Sequence, residues 1–90
     1  GGGFVAGAAV LIGGSPGIGK STLLLQLLAS LSTEKNTFYV TGEESLQQVG
    51  LRAERLGLRQ SPIQMMAETQ LESILQQAEL LKPSVMVIDS

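Results

Sequence analysis

Gly14, Gly19, Lys20 and Ser21 meet the spacing G-x-x-x-x-G-K-[ST] inside Gly13-Gly14-Ser15-Pro16-Gly17-Ile18-Gly19-Lys20-Ser21-Thr22. That stretch reads as a phosphate-binding loop, and each position has a physical task. Gly17 and Gly19 can take backbone angles closed to other residues, so successive N–H groups turn inward on one anionic centre. A helix starting near Gly19 adds its unpaired N–H groups and the positive end of its dipole. Lys20 brings a compact cation to β- and γ-phosphates. The Ser21 hydroxyl is suited to Mg²⁺, which prefers oxygen ligands. The plainer alternative is a glycine-rich turn with an incidental lysine. The setting argues against it, because Val10-Leu11-Ile12 precedes the loop as a short buried strand and Leu23-Leu24-Leu25-Gln26-Leu27-Leu28-Ala29 follows as a strongly apolar helix.

Carboxylates supply the complementary chemistry. Asp89 directly follows the apolar run Val85-Met86-Val87-Ile88. A carboxylate at the end of a buried strand can hold a Mg²⁺-bound water opposite Ser21. Taken alone, such a run is often just a strand ending in a turn. Glu43 and Glu44 are candidates for polarising an attacking water. Both also suit a helix start, since Thr41-x-x-Glu44 and Ser45-x-x-Gln48 fit capping boxes. Glu43 is assigned the catalytic role and Glu44 a structural one. Ser90 fits either a γ-phosphate sensor or a turn. Arg52, Arg55 and Arg59 read as a solvated face paired with Glu54, and Met65 and Met66 as core or strand residues.

Composition narrows the classes. The chain has 90 residues, 43% hydrophobic and 16% charged, with a net charge of −2. That is a globular composition and argues against a basic nucleic-acid-binding domain within this span. There is no Cys and no His, which excludes disulfides, thiolate metal sites and histidine catalysis from these residues. No apolar run reaches membrane-span length and no signal peptide is visible, so the expected location is cytoplasmic. The chain lacks an initiating Met and stops at Asp89-Ser90 after an apolar strand. It is expected to be a segment of a longer protein.

The elements that would position these groups follow in order. Gly1 to Gly7 has linker composition, with Phe4 and Val5 as small anchors. Val10–Ile12 is the first strand and about Gly19 to Leu31 the first helix. Thr37–Val40 is a β-branched and aromatic strand. Leu46, Val49, Ala53 and Leu56 form one face of an amphipathic helix closed by Gly57. Ile63–Met66 is a weak third strand. Thr69-x-x-Glu72 resembles a capping box opening a helix with Leu71, Ile74, Leu75, Ala78 and Leu81 inward, stopped by Pro83. Val85–Ile88 is a strand covered on both faces. The β-α-β-α-β-α-β order predicts an α/β fold, a parallel sheet with helical crossovers. Its carboxyl edge would gather Gly14 to Ser21, Gly42 to Ser45, and Asp89-Ser90.

Several strings then resemble one family. Leu11 to Gln26, Tyr39-Val40-Thr41-Gly42-Glu43-Glu44-Ser45, Arg52-Ala53-Glu54-Arg55-Leu56, Ala67-Glu68-Thr69 and Val87-Ile88-Asp89-Ser90 are similar to the bacterial RadA (Sms) DNA repair proteins. The similarity runs nearly the whole chain in order. Ser15 departs from it, standing where most of that family carries Asp. The resemblance implies an incomplete RecA-like P-loop NTPase. Residues 1–90 would be the N-terminal part of a RecA-like ATPase domain, from the phosphate-loop strand to the Walker B strand. It implies Gly14, Gly19, Lys20, Ser21 and Thr22 around ATP and Mg²⁺; the whole loop, with Ser15, Pro16, Gly17 and Ile18, is taken as nucleotide-binding. It implies Glu43 and Lys20 as catalytic residues, and Ser21 and Asp89 on the metal side. It further implies ATP hydrolysis coupled to single-stranded or branched DNA through regions outside this segment, a homo-oligomeric ring, and zinc only in an N-terminal module that these residues do not include.

Two consequences and three alternatives accompany that reading. RecA-like sheets place the next strand in sequence between the phosphate-loop strand and the strand ending in Asp89. Val10–Ile12 and Val85–Ile88 would then each lack a neighbour here, and the isolated segment would be poorly stable with little ATPase activity. A KaiC-like or replicative-helicase-like core shares the same edge chemistry. An ABC-type ATPase is disfavoured, because the Asp-ending strand comes too soon and no serine-glycine-glycine signature intervenes. The alternative of another class is a non-hydrolysing nucleotide-binding or interaction module, in which Glu43 merely caps a helix.

Overall fold

A computed structural model of the chain describes residues 9–13 and 18–89. The linker reading of the first residues, the loop positions Gly14, Ser15, Pro16 and Gly17, and Ser90 lie outside the described residues. The elements are β1 (Ala9–Gly13), α1 (Ile18–Leu31), β2 (Thr37–Thr41), α2 (Leu46–Arg55), β3 (Gln64–Ala67), α3 (Leu71–Leu81) and β4 (Val85–Asp89). β1, β2 and β3 are each followed by a helix that returns the chain to the same end of the sheet, so all pairings are parallel, in the order β1-β4-β2-β3.

β4 is central. Its residues alternate between two apolar clusters, as expected of an unbroken apolar run. Val85 and Val87 pack with Leu25, Leu28, Tyr39 and Val49 on the face covered by α1 and α2. Met86 packs with Phe38, Val40, Ile74 and Ala78 on the face covered by α3, with Ile88 against it. Met65 and Met66 fall to opposite faces of β3, half-buried against these same clusters.

The anticipated gap beside β4 is closed. Five register pairs, Ala9↔Val85 through Gly13↔Asp89, join β1 directly to β4. Neither strand lacks a neighbour on that side. Facing strand edges carry unpaired N–H and C=O groups, and joining them costs less than leaving both ladders open.

Helix ends match two expectations and correct a third. Ser45 caps α2 with the full reciprocal box, its hydroxyl accepting from the Gln48 N–H and the Gln48 side chain accepting from the Ser45 N–H. Gly57 closes α2 at φ 75°, with the Gly57 N–H bonded to the Glu54 carbonyl and Leu58 N–H to the Ala53 carbonyl. A residue with a Cβ would be strained there. The Thr69 box, by contrast, does not form. α3 is capped by Gln70 without a side-chain bond, and the Glu68 carboxylate instead accepts from the Thr69 and Gln70 N–H groups. A carboxylate just ahead of the helix reaches those donors with no need of a hydroxyl, and its charge favours the helix start. α1 is buried on one side only. Leu25 and Leu28 are fully buried, while Leu23 and Leu27 stand 67% and 44% exposed one turn apart. A helix lying on a sheet hides one stripe, so an apolar run longer than that stripe leaves leucines outside.

Candidate functional site

Three elements converge on one carboxylate. Asp89 ends β4 opposite Gly13 of β1 and Thr41 of β2. Its backbone carbonyl accepts from the Gly42 N–H at 2.9 Å. This ties the end of β4 to the loop after β2. Lys20 and Ser21 stand in the first turn of α1, where the backbone N–H groups lack helical partners. The Ser21 hydroxyl donates to Asp89 Oδ2 at 2.9 Å. Lys20 Nζ lies 3.2 Å from Asp89 Oδ1. The phenol of Tyr39, in the middle of β2, donates to Oδ2 at 2.7 Å.

Asp89 and Ser21 are buried, and Tyr39 is fully so. A carboxylate hidden from water needs charged or hydrogen-bonded partners. Burial alone would push the Asp89 carboxyl up. The hydrogen bonds from Tyr39, Ser21 and Lys20 outweigh it and hold the group below the ordinary aspartate range. Burial, followed by the bond to Asp89, pushes the Tyr39 phenol up, so it remains a donor.

The structure thus brings Lys20, Ser21 and Asp89 together at the carboxyl edge that the element order predicts, with Lys20 and Ser21 in direct contact with the carboxylate. Gly19 differs. It lies within α1 with no positive φ, and a Cβ there would meet nothing within 4 Å. Neither the backbone angle nor the space around it in this structure therefore requires a glycine at this position. Thr22 is half-buried in the next position.

Glu43 stands at the same edge but outside the cluster. It is exposed and lines a cleft with Gly42, Glu68, Thr69, Ile74 and Ile88, on the α3 side of the sheet. Glu44 takes the structural part. Its N–H donates to Thr41 Oγ1, and its carboxylate receives both Arg52 nitrogens, at 2.7 and 2.6 Å. Those hydrogen bonds draw the Glu44 carboxyl below its usual range. Thr41-x-x-Glu44 is therefore half a box, since the Glu44 side chain turns to Arg52. Arg52 is corrected with it: it is not a solvated residue beside Glu54 but a half-buried clamp on the loop that carries Glu43. Arg55 and Arg59 are exposed as expected.

The clamp is testable. Arg52→Lys keeps the charge and loses the fork, since an ammonium cannot make the two parallel bonds. We expect a loss of about 1 kcal/mol in stability, with Arg52→Ala losing more. Thermal unfolding of the intact parent protein checks it; equal midpoints for wild type and Arg52→Ala would show that the clamp holds nothing.

The donor set fits Mg²⁺. The buried Ser21 hydroxyl and Asp89 carboxylate, in contact with each other, are hard oxygen ligands. Among the described residues no group of three or more His, Cys, Asp or Glu side chains could hold a metal. Mg²⁺ is typically held by one or two carboxylates together with substrate phosphates, so a sparse set suits it.

A parallel α/β sheet whose carboxyl edge unites a helix N-terminus, a lysine, a serine hydroxyl and a strand-end aspartate has the architecture of a RecA-like P-loop NTPase fold. More narrowly, the chain belongs to the family described as "ATPase: KaiC", whose family model matches residues 1–89. Among curated relatives it is 59% identical over 90 residues to the DNA repair protein RadA of Escherichia coli (strain K12) and to that of Salmonella typhimurium. It is 56% identical over 90 residues to the DNA repair protein RadA of Haemophilus influenzae. Each of these matches covers the whole chain, and the chain spans 20% of each relative. The resemblance drawn from the residues therefore holds from end to end.

Tyr39 is the site residue that sequence reading missed. In the sequence it reads as an aromatic strand former. The usable signal was its hydroxyl, since a strand buried on both faces has no solvent for a phenol and must supply a partner.

Proposed function

We propose that this chain is the nucleotide-binding part of a Mg²⁺-dependent ATP hydrolase that works on DNA in recombination and repair, in the cytoplasm and as a ring of copies. The observation that carries the ATPase part is the meeting of Lys20 and Ser21 with Asp89. Similarity to the DNA repair protein RadA supports the DNA part. Single-stranded or branched DNA would be bound by regions of the parent protein beyond these residues, as would any zinc.

In this reading Gly14 to Thr22 wrap the phosphates at the start of α1, and Lys20 moves its charge from Asp89 to the β- and γ-phosphates. The Ser21 oxygen and Asp89 take the metal side. Mg²⁺ held there would supply positive charge to offset that of the phosphate oxygens. Glu43 polarises the attacking water from the end of β2. Asp89, held below the ordinary aspartate range, is ionised for its part at neutral pH.

Phosphate release from ATP by the intact parent protein tests this. Turnover is expected to require Mg²⁺, to fall to background with a chelator, and to rise severalfold with single-stranded DNA. Turnover indifferent to DNA would remove the DNA coupling, and none at all would remove the ATPase reading. The family match favours one second reading, a KaiC-like ATPase. A second phosphate loop downstream in the parent gene would support it.

A further inference from the structure

Asp89 Oδ2 receives two hydroxyls, from Tyr39 at 2.7 Å and Ser21 at 2.9 Å, while Oδ1 faces Lys20 at 3.2 Å. The three partners differ in what holds them. Lys20 carries a long side chain at a helix start, with a side-chain exposure of 30%. Ser21 stands beside it in the same first turn. Both are the groups that the proposed nucleotide site would redirect to phosphate and metal. Tyr39 is anchored elsewhere. It is the register partner of Val87, a strand pair away from Asp89, and its ring is fully buried with Leu25, Leu28, Val49, Val85 and Val87.

A ring so enclosed has two side-chain torsions, and packing fixes both. Phenylalanine would fill the same apolar space. A hydroxyl carried into such a cluster costs free energy unless it meets an acceptor, and here the acceptor is the strand-end carboxylate. We propose that Tyr39 is a positioning residue that holds Asp89 Oδ2 and so presents Oδ1 as the oxygen that serves the metal-bound nucleotide. The proposal rests on the Mg²⁺-nucleotide reading of this site and adds a residue to it. When Lys20 and Ser21 turn to their ligands, Tyr39 is the remaining side-chain partner among the described residues and keeps the carboxylate from rotating. Hydrogen-bond partners of metal-side carboxylates behave this way in general, and their loss costs roughly 10- to 100-fold in metal affinity or activity.

The test is an equilibrium titration on the full-length parent protein. A fluorescent ADP analogue is bound at increasing Mg²⁺, for wild type, Tyr39→Phe, Asp89→Asn and the double variant. Tyr39→Phe is expected to raise the Mg²⁺ concentration for half-saturation about 10-fold. Nucleotide affinity without metal should stay within about twofold. In the Asp89→Asn background, Tyr39→Phe should not raise the Mg²⁺ requirement further, because the charged metal-side oxygen that Tyr39 positions is already gone, even though an amide oxygen can still accept from the phenol. A purely structural tyrosine would weaken both affinities together and add its effect in either background. An unchanged Mg²⁺ requirement in Tyr39→Phe, beside a raised one in Asp89→Asn, overturns the role of Tyr39 and leaves the site reading standing. A wild type whose nucleotide binding ignores Mg²⁺ overturns both.

Discussion

Glu43→Gln in the intact protein should lower ATP turnover by about 10²- to 10⁴-fold, the usual worth of a positioned general base, with nucleotide binding changed less than about twofold. The amide keeps the size and polarity of the side chain and removes its ability to accept a proton. Glu43 can bear this change because the fold asks little of it. It is exposed, while the neighbouring Glu44 carries the bond to Arg52 and the turn to Thr41. Stability should therefore hold while turnover collapses. Single-turnover phosphate release, with analogue binding measured beside it, separates the two. Turnover within about threefold of wild type would end the catalytic assignment and favour a module that binds nucleotide without hydrolysing it.

Asp89→Ala should act on both stability and binding. It strips the acceptor from two hydroxyls, Tyr39 fully buried and Ser21 nearly so, and leaves Lys20 without this carboxylate. Breaking such a cluster from one side should cost about 2–4 kcal/mol, read as a fall in the thermal midpoint of the parent protein. Mg²⁺-dependent nucleotide binding should be lost with it. The pH dependence follows from the direction of the shift. The folded Asp89 carboxyl lies below its ordinary value. Its contribution is therefore present above the unfolded value, near pH 4, and is lost as pH falls through the lower folded value. The gap between wild type and Asp89→Ala should be widest near neutrality and narrow on the acid side of about pH 4. A gap that widened with acid would mean that the ionised carboxylate is not what the cluster holds.

Residues alone determined much of this protein. The loop spacing named Lys20 and Ser21, the apolar run named Asp89, and alternating strand and helix signals set a parallel sheet with all of them at one edge. These are local signals. Each depends on side chains within a few positions, and backbone geometry converts them directly into elements. Tertiary structure decided the rest, because it rests on pairings that no local period encodes. Ser21 and Asp89 are 68 positions apart, and Tyr39 and Asp89 are 50 apart. Strand order, and the seating of α1 on the sheet, bring them together. That β1 lies directly against β4, that α1 hides one stripe and exposes Leu23, and that Arg52 reaches Glu44 all depend on which edges and faces meet. The Tyr39 phenol shows the reason most plainly. Sequence marks it as a strand-forming aromatic, but only packing against β4 removes its water and leaves Asp89 as its acceptor.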